Sequence, residues 1–155
     1  MRKTEAGAAP GRATLEAAFR ATGYRVVWDG ASFVLRLGAC HADFDAHLEQ
    51  HHCRSWAIVT AANPGAQLLS GNENAVRAAS LLADLATRGW AAYPACNVAD
   101  AGDWPEEPSV LLPGRSEAEA AALARAYGQL ACVCGEVGQA ARLVWVLPAA
   151  EEENG

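Results

Sequence analysis

The sequence predicts an α+β domain: a single-domain sandwich whose mixed, largely antiparallel sheet packs with three to four helices. Three observations carry this. Strand-patterned runs pair up about tight turns, as in Tyr24 to Trp28, Asp29-Gly30 and Phe33 to Leu37. Helix-patterned runs separate those pairs and begin with capping boxes at Ser70-Gly71-Asn72-Glu73 and Ser116-Glu117-Ala118-Glu119. One run, Trp56-Ala57-Ile58-Val59, is apolar on both faces, as a central strand must be. Hairpins alternating with helices argue against a doubly wound parallel sheet.

Each element has its own signal. Residues 14–22 place Leu15, Ala18 and Phe19 on one helical stripe that Gly23 ends. Residues 24–28 alternate like a strand, Asp29-Gly30 turns the chain, and residues 33–37 return. Residues 43–53 read as a short helix with Phe44 and Leu48 inward, and residues 55–61 as the central strand. From the Ser70 cap, Val76, Ala79, Leu82, Ala83 and Ala86 follow at helical spacing up to Gly89. Residues 90–96 form a strand marked as an edge or bulge by Pro94. Residues 97–108 form an acidic loop whose Trp104 is expected to fold back as a lid. A short strand over 109–112, a helix over 116–127 and a hairpin of 129–134 with 142–147 complete the domain. The order is α-β-β-α-β-α-β-β-α-β-β, with the domain at 12–148, a flexible N-terminal tail at 1–11 and a flexible acidic C-terminal tail at 149–155.

Composition removes several classes. A chain of 155 residues with 52% hydrophobic and 19% charged residues is long and apolar enough for one real core. A net charge of -6, with Lys3 as the sole lysine, predicts neither a nucleic-acid partner nor binding to an anionic membrane. No apolar run approaches the length of a membrane span, and 1–12 lacks an apolar signal core, so a cytoplasmic location is expected. The odd set Cys40, Cys53, Cys96, Cys132 and Cys134 reads as free thiols. Phosphate-cradling glycine motifs and the nucleophile elbow are absent, and no cofactor is expected.

A polar cluster stands out. Thr60 ends the central strand, Asn63-Pro64-Gly65 turns the chain, and Glu73, Asn74 and Arg77 occupy the next helix start. Trp104, Glu107 and Gln129 stand where later segments can close over them. A carboxylate, an arginine and amides suit a small polar ligand. Local structure explains part of the set equally well: Ser70 and Glu73 cap, Asn63 turns, and Glu73 and Arg77 pair at i, i+4.

These polar residues resemble a known pattern, the bacterial domain-of-unknown-function family 3293. The resemblance rests on Thr60-Ala61-Ala62-Asn63-Pro64, on Ser70, Glu73, Asn74 and Arg77, on Trp104, Glu106, Glu107, Ser109 and Leu111, and on Gly128-Gln129. It extends from about Tyr24 to the last strand. It departs at Ala62, where members often carry a large aromatic, and at Cys96-Asn97-Val98, where they tend to be glycine-rich. The resemblance implies a small, single-domain bacterial protein and no assigned activity.

Two further clusters carry candidate chemistry. His47 and His51 stand at i, i+4, a spacing that can bring two imidazoles to one metal, but Glu49 faces away and no zincin signature is formed. Partly buried, hydrogen-bonded histidines are the plainer reading. Cys132-Val133-Cys134 is not the redox C-x-x-C spacing and reads as packing, whereas Cys96 at a strand end is the better candidate for a reactive thiol. Two main readings of function result. In one, the domain binds or acts on a small polar ligand at the Asn63 loop and the Glu73 helix start. In the other, it is a non-catalytic interaction or structural domain, with a homodimer as one form. A metal-binding protein using His47 and His51 is a third. Whether the chain is an enzyme is left open.

Overall fold

The structure, a computed structural model, describes residues 10–148. The tails expected at 1–11 and 149–155 therefore lie outside the described residues, apart from Pro10 and Gly11. The elements are α1 (Arg12–Arg20), β1 (Thr22–Trp28), β2 (Ala31–Leu35), α2 (Ala42–Gln50), β3 (Ser55–Thr60), α3 (Gly71–Arg88), β4 (Tyr93–Ala99), β5 (Glu107–Pro113), α4 (Glu117–Ala126), β6 (Ala131–Glu136) and β7 (Arg142–Trp145), with a 3-10 turn at Pro64–Ala66 after β3. This is the α+β order the sequence predicts.

Local chemistry explains the boundaries. Ser70 and Ser116 each accept from the backbone N–H three residues on, and Glu73 and Glu119 each accept the serine's own N–H, closing both capping boxes. Gly89 ends α3 in the left-handed conformation at φ 71°. Asp29 and Gly30, at φ 57° and 81°, make the two-residue turn whose positive φ values match the twist of the β1–β2 hairpin.

The seven strands form one sheet in the order β2-β1-β4-β5-β3-β6-β7, and every neighbouring pair is antiparallel. The sheet curls until its edges meet. Leu37, just after β2, bridges Ala141, just before β7, in parallel sense. There the Gly38 N–H donates to the Ala141 carbonyl at 2.8 Å, and the Ala141 N–H donates to the Ala39 carbonyl at 3.0 Å.

Alternation along the strands then creates two cores. In β3, Trp56 and Ile58 join Tyr24, Trp28, Phe44, Leu48, Leu111 and Val133 on the concave side, where α2 packs. Ala57 and Val59 face the opposite way, onto Leu81 and Leu85 of α3 and Leu123 and Ala124 of α4. β3 is central and apolar on both faces because both its faces are covered.

Candidate functional site

One end of the curled sheet stays open. There the start of β1, the end of β3, the end of β4 and the starts of β5 and β6 surround a cavity of about 300 Å³, roofed by α1 and flanked by the Trp104 loop. Its body is apolar, with Leu15, Ala18 and Phe19 from α1 and Ile58 from β3. Its polar groups include Tyr24, Thr60, Asn63, Asn97, Glu107 and Gln129, with Thr14 of α1, Thr22 of β1, and Asp103 and Trp104 at the loop. No lysine, arginine or histidine lines it among the described residues, so its charged groups are carboxylates.

The polar end is a connected network. Asn63, only 3% exposed, adopts the left-handed conformation at φ 48°, which asparagine tolerates. Its N–H donates to Asn74 Oδ1 at 2.9 Å, and its own Oδ1 accepts from Asn74 Nδ2 and the Leu69 N–H, both at 2.9 Å. That leaves Asn63 Nδ2 to donate to Glu107 Oε2 at 2.8 Å. The Trp104 indole N–H donates to the same oxygen, also at 2.8 Å. The Glu107 carboxylate is thus fixed through one oxygen by two neutral donors, with no cation paired to it among the described residues.

The walls are tied down in the same way. Thr60 Oγ1 donates to the Pro108 carbonyl at 2.7 Å and accepts the Ala62 N–H at 3.0 Å. Gln129 Nε2 donates to the Ala62 carbonyl at 2.9 Å, and Ser109 Oγ donates to Asn97 Oδ1 at 2.7 Å. The Tyr24 hydroxyl donates to the Phe19 carbonyl at 3.2 Å. Burial first, and the Glu107 charge second, raise its pKa well above the ordinary phenol value, so it stays protonated.

Of the residues singled out in the sequence, Thr60, Asn63, Trp104, Glu107 and Gln129 line the cavity. The other three serve the scaffold. Asn74 positions Asn63. Glu73 is exposed and held by Ser70. Arg77 donates through Nε to the Ala61 carbonyl at 2.5 Å and through a terminal nitrogen to the Tyr127 carbonyl, bracing the β3–α4 junction. Glu73 and Arg77 therefore do not pair, since each already has backbone partners. Sequence reasoning missed Tyr24, Asn97 and the α1 roof. Strand alternation signalled an inward Tyr24, but nothing local marks Asn97 as a wall.

Of the other clusters, Cys132 is among the cavity's lining residues, whereas Cys96, His47 and His51 are not. Cys96 Sγ lies 3.6 Å from Glu106 Oε1. Burial first, and that carboxylate next, raise its pKa, which disfavours the thiolate a nucleophile needs. Cys132 and Cys134 project to the same buried face with their sulfurs 4.0 Å apart. His47 and His51 lie across α2 with ring centroids 4.6 Å apart.

The residues that tie the cavity end together, from Thr60 through Asn74 and Arg77 to Gly128 and Gln129, fall within one segment of the chain. Residues 59–132 match the model of a family described as Protein of unknown function (DUF3293). The match supports assignment to DUF3293. The matched segment runs from the end of β3 to the start of β6, and so carries the polar end of the cavity but neither α1 nor β1. Comparisons with curated proteins and with solved structures return no match.

Proposed function

We propose that this chain binds a small organic molecule with an apolar body and a cationic or hydrogen-bond-donating head, seated in the cavity between α1 and the open end of the sheet. The observation that carries the reading is the Glu107 carboxylate, oriented by Asn63 and Trp104 without a neutralising cation among the described residues, beside an apolar chamber of about 300 Å³. That volume is at the lower end for small-molecule sites, and a few oriented polar groups in an apolar wall are their usual make-up. The ligand class is narrower than the small polar ligand expected from a carboxylate, an arginine and amides, because Arg77 faces backbone carbonyls instead of the chamber. Asn97 and Gln129 would set orientation, and Trp104 would cover the head.

The setting that fits this reading is the bacterial cytoplasm: all five cysteines are free, as in a reducing compartment. Among the described residues, no helix is long and apolar enough to cross a membrane.

The test is a thermal-shift panel of primary amines, alcohols and carboxylates with matched apolar bodies, run on the parent and on Glu107→Gln. Glutamine keeps an oxygen for Asn63 and Trp104 to donate to while removing the charge. Amines are expected to raise the parent's Tm and to lose most of that effect in the variant. Preferential binding of carboxylates, or amine binding indifferent to the substitution, would overturn the reading.

A further inference from the structure

We propose that Asp29, His47 and His51, none of which lines the ligand cavity, form a binding site for one divalent transition-metal ion of the zinc type. One ligand atom from each of the three lies within 4.8 Å of the others. His47 and His51 come from consecutive turns of α2, with His51 as its C-cap, and Asp29 comes from the β1–β2 turn.

The hydrogen bonding fixes which nitrogens are available. His51 Nδ1 lies 2.9 Å from the His47 carbonyl, which can only accept, so Nδ1 carries the proton. In the neutral ring, Nε2 is then a bare lone pair, and it lies 3.3 Å from Asp29 Oδ2. Two acceptors facing each other at that distance call for a cation: a proton on the imidazole or a metal ion between them. His47 supplies the observation that favours the metal. Its Nε2 is buried and has no hydrogen-bond partner among the described residues, and His47 offers one ring nitrogen to the same cluster.

The dimensions suit coordination. Two ligand atoms each about 2.1 Å from zinc stand about 3.4 Å apart at the tetrahedral angle. The His51–Asp29 separation of 3.3 Å already matches that. The His51 Nδ1–H bond to a backbone carbonyl is the kind of outer contact that orients metal-binding imidazoles. Trp28 backs both rings, with centroids 4.6 Å from His47 and 4.5 Å from His51, and Phe33 closes the His47 side at 5.3 Å. The Asp29 side chain is 71% exposed, so an ion can enter from solvent and complete its coordination with water. Two imidazoles and one carboxylate suit zinc, cobalt(II) or nickel(II) better than magnesium or calcium, which prefer oxygen. Bound there, the ion would fasten the β1–β2 turn to the end of α2.

The test is calorimetric titration of tag-free, chelator-treated protein with zinc chloride, with magnesium chloride as the control, beside a thermal melt. One zinc ion per chain and a higher Tm that EDTA reverses are expected, with no response to magnesium. Asp29→Asn, which keeps a residue tolerant of positive φ, and His51→Gln are each expected to weaken zinc at least about tenfold. Circular dichroism of both variants reports that they remain folded. Failure of the parent to bind zinc overturns the proposal. So does zinc binding of equal strength in a His47→Gln/His51→Gln variant, which would move the ion to the cysteines or the other histidines.

Discussion

At Gly135, the absence of a side chain is what lets Trp56 lie flat in the concave core. A Cβ built there would fall 2.4 Å from the indole ring, and Trp56 is only 3% exposed, so the ring has little room to move. Gly135→Ala is expected to destabilise the protein by about 1–3 kcal/mol through overpacking, read from urea denaturation. Gly135→Ala combined with Trp56→Phe should cost less than the sum of the two single changes, because the phenylalanine ring is smaller than the indole and leaves the new methyl more room; simple additivity would show that the strain is relieved elsewhere. Arg77 makes the opposite point, since here the side chain replaces backbone partners. Arg77→Met keeps most of the stem but strands the Ala61 and Tyr127 carbonyls, and a loss of about 1–3 kcal/mol is expected. A loss within measurement error would show that water satisfies both carbonyls instead.

The helices depend on their ends, and α3 shows this in a titratable form. Ser70→Ala removes the acceptor for the Glu73 N–H and is expected to cost about 1 kcal/mol. Glu73 reciprocates: the Ser70 backbone N–H first, and the Ser70 side chain next, hold its carboxyl below the ordinary value of 4.5. A group whose pKa is lower in the folded state contributes its stability above the unfolded value and loses it as pH falls through the folded one. The stability gap between the parent and Glu73→Gln should therefore be full above the ordinary value of 4.5 and narrow as pH falls below it. A gap that stays constant in denaturant midpoints across that range would refute the carboxylate's role. This level of structure was legible in the sequence because its causes are local. Both capping boxes, the Asp29-Gly30 turn and the two-faced apolar run of β3 each announce themselves within a few residues. The i, i+4 spacing of Glu73 and Arg77 misled for a related reason: spacing shows which side chains can meet, not which backbone groups reach them first.

At the scale of the whole molecule, strand order, curl and the cavity follow from pairings between distant segments, and no local pattern encodes them. β1 pairs with β4 across the whole α2–α3 stretch, and β3 lies between β5 and β6, so hairpin signals alone left the order open. The cavity was half legible for the same reason. Its polar end comes from residues that looked unusual in turns and caps, whereas Asn97 and the α1 roof join it only when the sheet curls. Closure of that curl rests on few contacts, chiefly the two hydrogen bonds between the Gly38–Ala39 stretch and Ala141. Ala141→Pro removes the N–H that donates to the Ala39 carbonyl while leaving the β3–β5 and β3–β6 ladders untouched. Native-state hydrogen exchange should then show faster exchange at the β2 and β7 edges while Ile58, Val59 and Leu111 keep their protection. Uniform acceleration across all seven strands would mean that edge closure and the central sheet open as one unit, and that the curl is as integral to the fold as the β3 core.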